Sequence, residues 1–260
     1  MARNRRLENL FAKDGRALIV AMDHSLTMGP LKGLEHPSEL IRQVIAGGAD
    51  AILTSYGTAR QFAHELAHVG LIVRADGGAT SMAKTFGAGA LVLGIEQALR
   101  VDADAAAVCA FPGAEHEEAS LKHLAAMIDA AHQWNVGVMA EMVPGGFAGG
   151  AEFRTAESIA LGARVGAEMG ADLIKCPYAP DFERVTQTCA VPVVILGGAK
   201  RGGEEAMLAE IKRALDQGAV GVAIGRNIWQ AADPQAMTRA VAAIVHAGAD
   251  VETALKILKT

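Results

Sequence analysis

The stretch MGADLIKC, residues 169–176, packs a helix end, a glycine turn and a short apolar strand into consecutive positions. The glycine suits the left-handed conformation that closes a helix, and the run after it lacks the polar alternation of a half-exposed strand. The same pattern returns in AGGADAIL (46–53), VDADAAAVCA (101–110) and QGAVGVAIG (217–225). A repeated step from helix to strand buried on both faces predicts parallel β/α units.

With these as anchors, strands are predicted near 17–22, 50–54, 71–75, 104–109, 137–142, 172–176, 192–196 and 220–224, each followed by room for one helix. The stretches 115–134, 155–169 and 203–217 carry apolar residues at three-and-four spacing with charged opposite faces, as amphipathic helices do. A chain of 260 residues holding these repeats predicts an α/β fold, the (β/α)8 TIM barrel, which needs roughly 250 residues. An open doubly wound sheet is the alternative, but no strand leads into its GxGxxG turn. With no Ser/Pro-rich linker, a single domain over 1–260 is expected, with a short N-terminal extension at 1–16.

Composition narrows the partners. Aromatic residues make up only 4%, and the net charge of −5 is offset by no basic segment beyond Arg3, Arg5 and Arg6, which argues against a nucleic-acid partner. Cys109, Cys176 and Cys189 form no CxxC pair and are read as free thiols of a cytoplasmic protein. Hydrophobic residues reach 51%, yet charges or turn residues interrupt every apolar run before the ~18 residues of a membrane span. The N-terminal apolar run is too short for a secretion signal, so no membrane partner is expected.

Barrel chemistry sits at the C-terminal ends of the strands. There the sequence puts Asp23 and His24 after the first strand, Glu141 in the fifth, Lys175 in the sixth, Gly197, Gly198 and Lys200 after the seventh, and Gly225 and Arg226 after the eighth. Lys175 shares its strand face with Leu173, so if the leucine points into the barrel the lysine does too. A snorkelling lysine or a structural ion pair fits that position as well as a nucleophile. A nucleophile needs its neutral amine, and moving the group from ~10.4 towards ~7 disfavours its charge by about 4–5 kcal/mol. Apolar walls and nearby cations, Lys200 or Arg226, are expected to supply this.

Such an amine attacks a ketone, and the resulting iminium draws electrons from an adjacent carbon–carbon bond. Proton transfer is then expected from Asp23, Glu141 or His24, although a cap, an ion pair with Lys175 and a loop hydrogen bond are their respective bland roles. The glycine turns after the seventh and eighth strands, with Arg226 and Lys200, suit a phosphate held by backbone N–H groups. Arg74, Asp76 and Tyr56 are candidate lining residues, Met139, Met169 and Trp229 are read as packing, and Cys176 is expected to point away from the barrel interior.

IVAMDHSLTMGPLKGLE (19–35), GADAILTSYGTAR (48–60), GADLIKCPY (170–178), VPVVILGGAK (191–200) and GAVGVAIGRNIWQ (218–230) together resemble the archaeal-type class I fructose-bisphosphate aldolases, a group that includes ulosonate synthases and the thiolase of autoinducer-2 breakdown. The resemblance implies a Schiff base on Lys175, an active-site role for Asp23, phosphate binding at Gly197, Gly198, Gly225 and Arg226, a homo-oligomer, and no metal or other cofactor. One segment departs from it. Those aldolases carry a Tyr-Pro-Arg-Gly segment whose tyrosine is the acid/base, whereas this chain reads Val143-Pro144-Gly145-Gly146. Three readings follow: an aldolase acting on a phosphorylated ketose or related sugar phosphate with Glu141 in the tyrosine's task, a thiolase passing an acyl group from a phosphorylated diketone to coenzyme A, and a non-catalytic sugar-phosphate-binding barrel.

Overall fold

The structure, a computed structural model, describes residues 5–83, 87–198 and 202–259. Its strands are β1 (Ala17–Ala21), β2 (Ala51–Thr54), β3 (Gly70–Arg74), β4 (Ala105–Ala110), β5 (Gly137–Met142), β6 (Leu173–Cys176), β7 (Val193–Leu196) and β8 (Gly221–Ile224). Each pairs in parallel with the next, and β8 returns to β1 through Ala17 opposite Gly221, closing an eight-stranded barrel. The amphipathic stretches form the helices Glu117–His132, Ala156–Glu168 and Gly203–Asp216 around it.

Several units depart from one strand, one helix: Ser25–Met28 precedes Pro37–Ala46 after β1, and Arg226–Trp229 precedes Pro234–Ala247 and Val251–Ile257 after β8. Two short helices, Tyr56–Gln61 and Ala63–Leu66, follow β2. After β3 an antiparallel pair, Asp76–Gly77 with Ala90–Leu91, precedes the five-residue helix Ile95–Leu99. Among the described residues no helix is long and apolar enough to cross a membrane.

The repeated Gly-Ala-Asp entries carry a second device besides the glycine cap. Asp50, Asp104 and Asp172 each precede a strand, and their carboxylates accept the backbone N–H of Leu18, Leu71 and Val138 on the strand before, at 2.6, 2.9 and 2.9 Å. Their own N–H groups donate to the carbonyls of those same three residues. Each aspartate thus grips both backbone groups of one neighbour and pins register where the ladder begins. In the second repeat Asp102, at φ 52°, takes the left-handed position that Gly48 and Gly170 take elsewhere.

Alternate residues of the strands fill the cylinder: Ala17, Ile19, Ala21, Leu53, Ile72, Ala107, Met139, Leu173, Val194 and Ala223 belong to one buried cluster. The N-terminal segment joins that cluster from below through Leu7, Leu10 and Phe11. Gly70 and Gly137 begin their strands without side chains because the segment lies against them: a Cβ at Gly137 would stand 2.9 Å from Leu7, and one at Gly70 2.5 Å from the carbonyl of Asn9. Arg6 and Asn9 fasten it by bonds to the Ala103 carbonyl and the Asp104 carboxylate.

Candidate functional site

One period beyond those apolar layers the interior positions change character. Two residues past Ala21, Ile72, Ala107, Met139, Leu173 and Ala223 stand Asp23, Arg74, Cys109, Glu141, Lys175 and Gly225. Glu141 is in register with Lys175 across β5 and β6, and Cys109 with Glu141 across β4 and β5. On the other side Lys175 pairs with Val194. Cys176, its side chain in the helix-side core, faces away as alternation requires.

Lys175 Nζ lies 3.0 Å from Glu141 Oε1. The second oxygen of Glu141 accepts from Arg74 Nη2. The Nε of Arg74 donates to Asp23 Oδ2 at 2.7 Å, and its Nη1 donates to Asp76 Oδ1 and to Cys109 Sγ, both at 3.1 Å. Asp76 is itself anchored by the Cys109 backbone N–H at 3.1 Å. Lys175, Glu141 and Arg74 are only 5%, 4% and 7% exposed. Buried charge at that depth persists only when every group is paired, and here three carboxylates share two cations.

The field inside the cluster follows from these contacts. Burial alone would raise Asp23, yet the Arg74 guanidinium, with His24 and Lys175, holds its carboxyl far below the usual range. Glu141 is also lowered: burial opposes its charge, and Lys175 and then Arg74 outweigh it. Burial pushes the Cys109 thiol well up, so it stays protonated and is no nucleophile.

The structure therefore brings together Lys175, Glu141 and Asp23, and it corrects their expected surroundings. The amine has an apolar neighbour in Val194, as expected, but its other strand neighbour is a carboxylate and not a cation. It sits in an ion pair, because strand register sets Glu141 beside it, and the cation on the far side of that carboxylate is Arg74. Arg226 donates instead to the Gly198 carbonyl at 3.1 Å. Lys200 lies outside the described residues. Tyr56, taken as a possible pocket residue, opens a helix and packs half-buried on the outer core.

His24 stands behind Asp23, Nδ1 to Oδ1 3.5 Å, and its ring meets Trp229 edge-on at 5.3 Å. Trp229 donates to the Ala21 carbonyl at 3.0 Å, which ties the turn after β8 to the end of β1. Asn227 donates to the Gly197 carbonyl at 3.0 Å, so the turns after β7 and β8 are bound to each other. Gly197 has no room for a side chain, since a Cβ would meet Ile224 at 2.9 Å. Val143, where the resembling aldolases carry tyrosine, is fully buried and offers no exchangeable proton.

A groove of about 670 Å³ between the loops after β1 and β8, walled by Lys32, His36 and Trp229, includes no member of the Lys175 cluster. Among the described residues no group of three or more His, Cys, Asp or Glu side chains is arranged to hold a metal ion.

Sequence and fold comparisons fit this architecture. The profile of the DeoC/LacD family of aldolases matches residues 17–231. Over 250 residues the chain is 36% identical to the 2-amino-3,7-dideoxy-D-threo-hept-6-ulosonate synthase of Halobacterium salinarum, covering 95% of this chain and 93% of that protein. It is likewise 36% identical over 254 residues to the 3-hydroxy-5-phosphonooxypentane-2,4-dione thiolase of Yersinia enterocolitica, covering 97% and 85%. Among solved structures, an archaeal fructose-1,6-bisphosphate aldolase with its catalytic lysine covalently bound to the carbinolamine intermediate superposes with a TM-score of 0.83, at 27% identity over 92% of this chain and 98% of that one. From the first barrel strand to just past the last, the chain belongs to the DeoC/LacD family of aldolases, which are carbon–carbon lyases.

Proposed function

We propose that the protein is a metal-independent class I aldolase that cleaves or forms a carbon–carbon bond in a phosphorylated ketose or related sugar phosphate through a Schiff base on Lys175. The observation that carries this reading is the buried pair of Lys175 and Glu141, 3.0 Å apart on adjacent strand ends. The carboxylate is a ready acceptor for the proton that the ammonium must lose. The freed amine attacks the ketone carbon, and one of its protons passes to the former carbonyl oxygen to give the carbinolamine. Glu141 returns the proton to the carbinolamine hydroxyl, water leaves, and the nitrogen lone pair closes the iminium.

Asp23, held ionised beside the cluster, then takes the proton of the hydroxyl next to the bond that breaks. The electron pair of that bond passes to the iminium, leaving an enamine and releasing an aldehyde. Asp23 gives its proton back to the enamine carbon, and water frees the second product by reversing the first steps. In this reading His24 orients Asp23, and Gly197, Gly198, Lys200, Gly225 and Arg226 hold the phosphate. Single-domain folding and homo-oligomeric assembly in the cytoplasm complete the proposal.

Borohydride reduction in the presence of a panel of phosphorylated ketones, followed by mass spectrometry, tests it. A reduced adduct on the Lys175 peptide is expected, and absence of an adduct with every ketone, while activity persists, overturns the mechanism. Two observations favour a second reading: Val143 offers no acid/base hydroxyl, and a thiolase is among the similar proteins. In that case a phosphorylated diketone loses an acyl group to coenzyme A, and turnover depends strictly on added coenzyme A.

A further inference from the structure

We infer that Arg74 is a positioning residue whose guanidinium ties Asp23 to Glu141 across the barrel mouth and holds both as proton acceptors beside Lys175. Its catalytic consequence rests on the Schiff-base reading above; its geometry does not. All three guanidinium nitrogens are engaged: Nε with Asp23, Nη1 with Asp76 and Cys109, and Nη2 with Glu141. Arg74 lies on β3 and Glu141 on β5, so the side chain must reach across β4. The residue it crosses is Cys109, small enough to be passed at 3.1 Å from Sγ. Asp76, pinned by the Cys109 N–H, fixes the fork from behind.

The groups facing this centre are Asp23 and His24 beyond β1, Arg74 and Asp76 at β3, Cys109 on β4, Glu141 on β5 and Lys175 on β6. The neighbour of Lys175 on β7 is the apolar Val194. Without Arg74, Asp23, Asp76 and Glu141 would be left with Lys175 as the one close cation among the described residues, with His24 3.5 Å from Asp23. Like charges in a low-dielectric site raise one another's pKa, so one carboxylate takes up its proton at a higher pH than in the wild type. If that carboxylate is Glu141, its capacity to accept the proton of Lys175 is lost at a correspondingly higher pH. A lysine at position 74 replaces the charge but not the planar fork that engages several carboxylates at fixed angles.

The test combines Arg74→Gln and Arg74→Lys with side-chain carboxyl ¹³C NMR of glutamate-labelled protein, Glu141 being assigned from Glu141→Gln. In the wild type Glu141 is expected to titrate below its ordinary 4.5. In Arg74→Gln its midpoint should rise by at least ~1 pH unit, with Arg74→Lys between the two. The acid limb of kcat/KM should move by the same amount, with activity partly recovered at higher pH. A Glu141 midpoint unmoved in both folded variants, or a loss of activity by one factor at every pH, overturns the inference. Should Arg74→Gln not fold, Arg74→Lys is judged by the same criterion. If the wild type gives no borohydride adduct, the Schiff-base reading falls while the carboxyl titration still decides the role of Arg74.

Discussion

Lys175 and Glu141 stand in register on neighbouring strands, and the 3.0 Å between nitrogen and oxygen is the length of a charge-assisted hydrogen bond. Two opposite charges buried together at the mouth of a barrel are poor evidence of stability in general, because desolvation cancels most of their attraction. Under the proposed Schiff-base chemistry their placement serves as a proton path. In that reading the amine and its proton acceptor are aligned before any ketone arrives.

Lys175→Met should therefore bring carbon–carbon cleavage down to background and abolish the borohydride adduct, while the circular dichroism spectrum stays native. Breaking an unshared buried pair costs about 3–5 kcal/mol. Here the loss measured by urea denaturation should be smaller, because Arg74 continues to neutralise Glu141.

Glu141→Gln keeps the shape and removes the proton acceptor. Turnover should drop by ~10²-fold or more, the scale of a lost general base, with adduct formation slowed in single-turnover trapping. A rate equal to wild type would transfer the task to Asp23 or to water.

Asp104→Ala removes the grip on Leu71 N–H and the partner of the Asn9 amide, both at the closed end of the barrel. Leaving a buried donor unpaired costs about 1–3 kcal/mol, and chemical denaturation should read a loss on that scale. Asp104→Asn keeps an acceptor oxygen and should lose less. Neither variant should change KM, since the strand mouths are at the other end.

His246, in the last turn of the helix Pro234–Ala247, has Nδ1 2.9 Å from Asp14 and Nε2 3.0 Å from Asp50. Its pKa is raised above the ordinary 6.5 by the Asp50 carboxylate first and by Asp14 next, against the opposing effect of burial. A histidine raised in the folded state stabilises fully below its unfolded value, and the contribution fades as pH climbs through the folded value. The Tm difference between wild type and His246→Gln should accordingly be largest near pH 6 and shrink towards alkaline pH. A difference independent of pH would assign the residue to packing alone.

The barrel was legible because its signal is local and repeated. Each helix-to-strand step carries its own glycine and its own apolar run, and every predicted strand lies within two residues of an observed one. Alternation put Lys175 on the face of Leu173, and the leucine's place in the interior cluster then set the lysine's direction. What the sequence showed less clearly was which partner each charge would meet. Arg74 and Glu141 are 67 positions apart on strands that do not pair, so their contact depends on barrel curvature and on the small residue at position 109. The aspartate clamps had a visible trace, the same acidic residue before three strands, but their grip on the preceding strand needs register to be known.

The segment lodged beneath the strands has a consequence for traffic. With the cylinder filled by its own apolar layers, and Leu7, Leu10 and Phe11 packed against them from below, the site is a blind well, and everything that enters must also leave by the mouth. Under the proposed chemistry the aldehyde must back out past a fragment still tethered to the protein. The order of product departure is then dictated by the covalent bond and not by relative affinity.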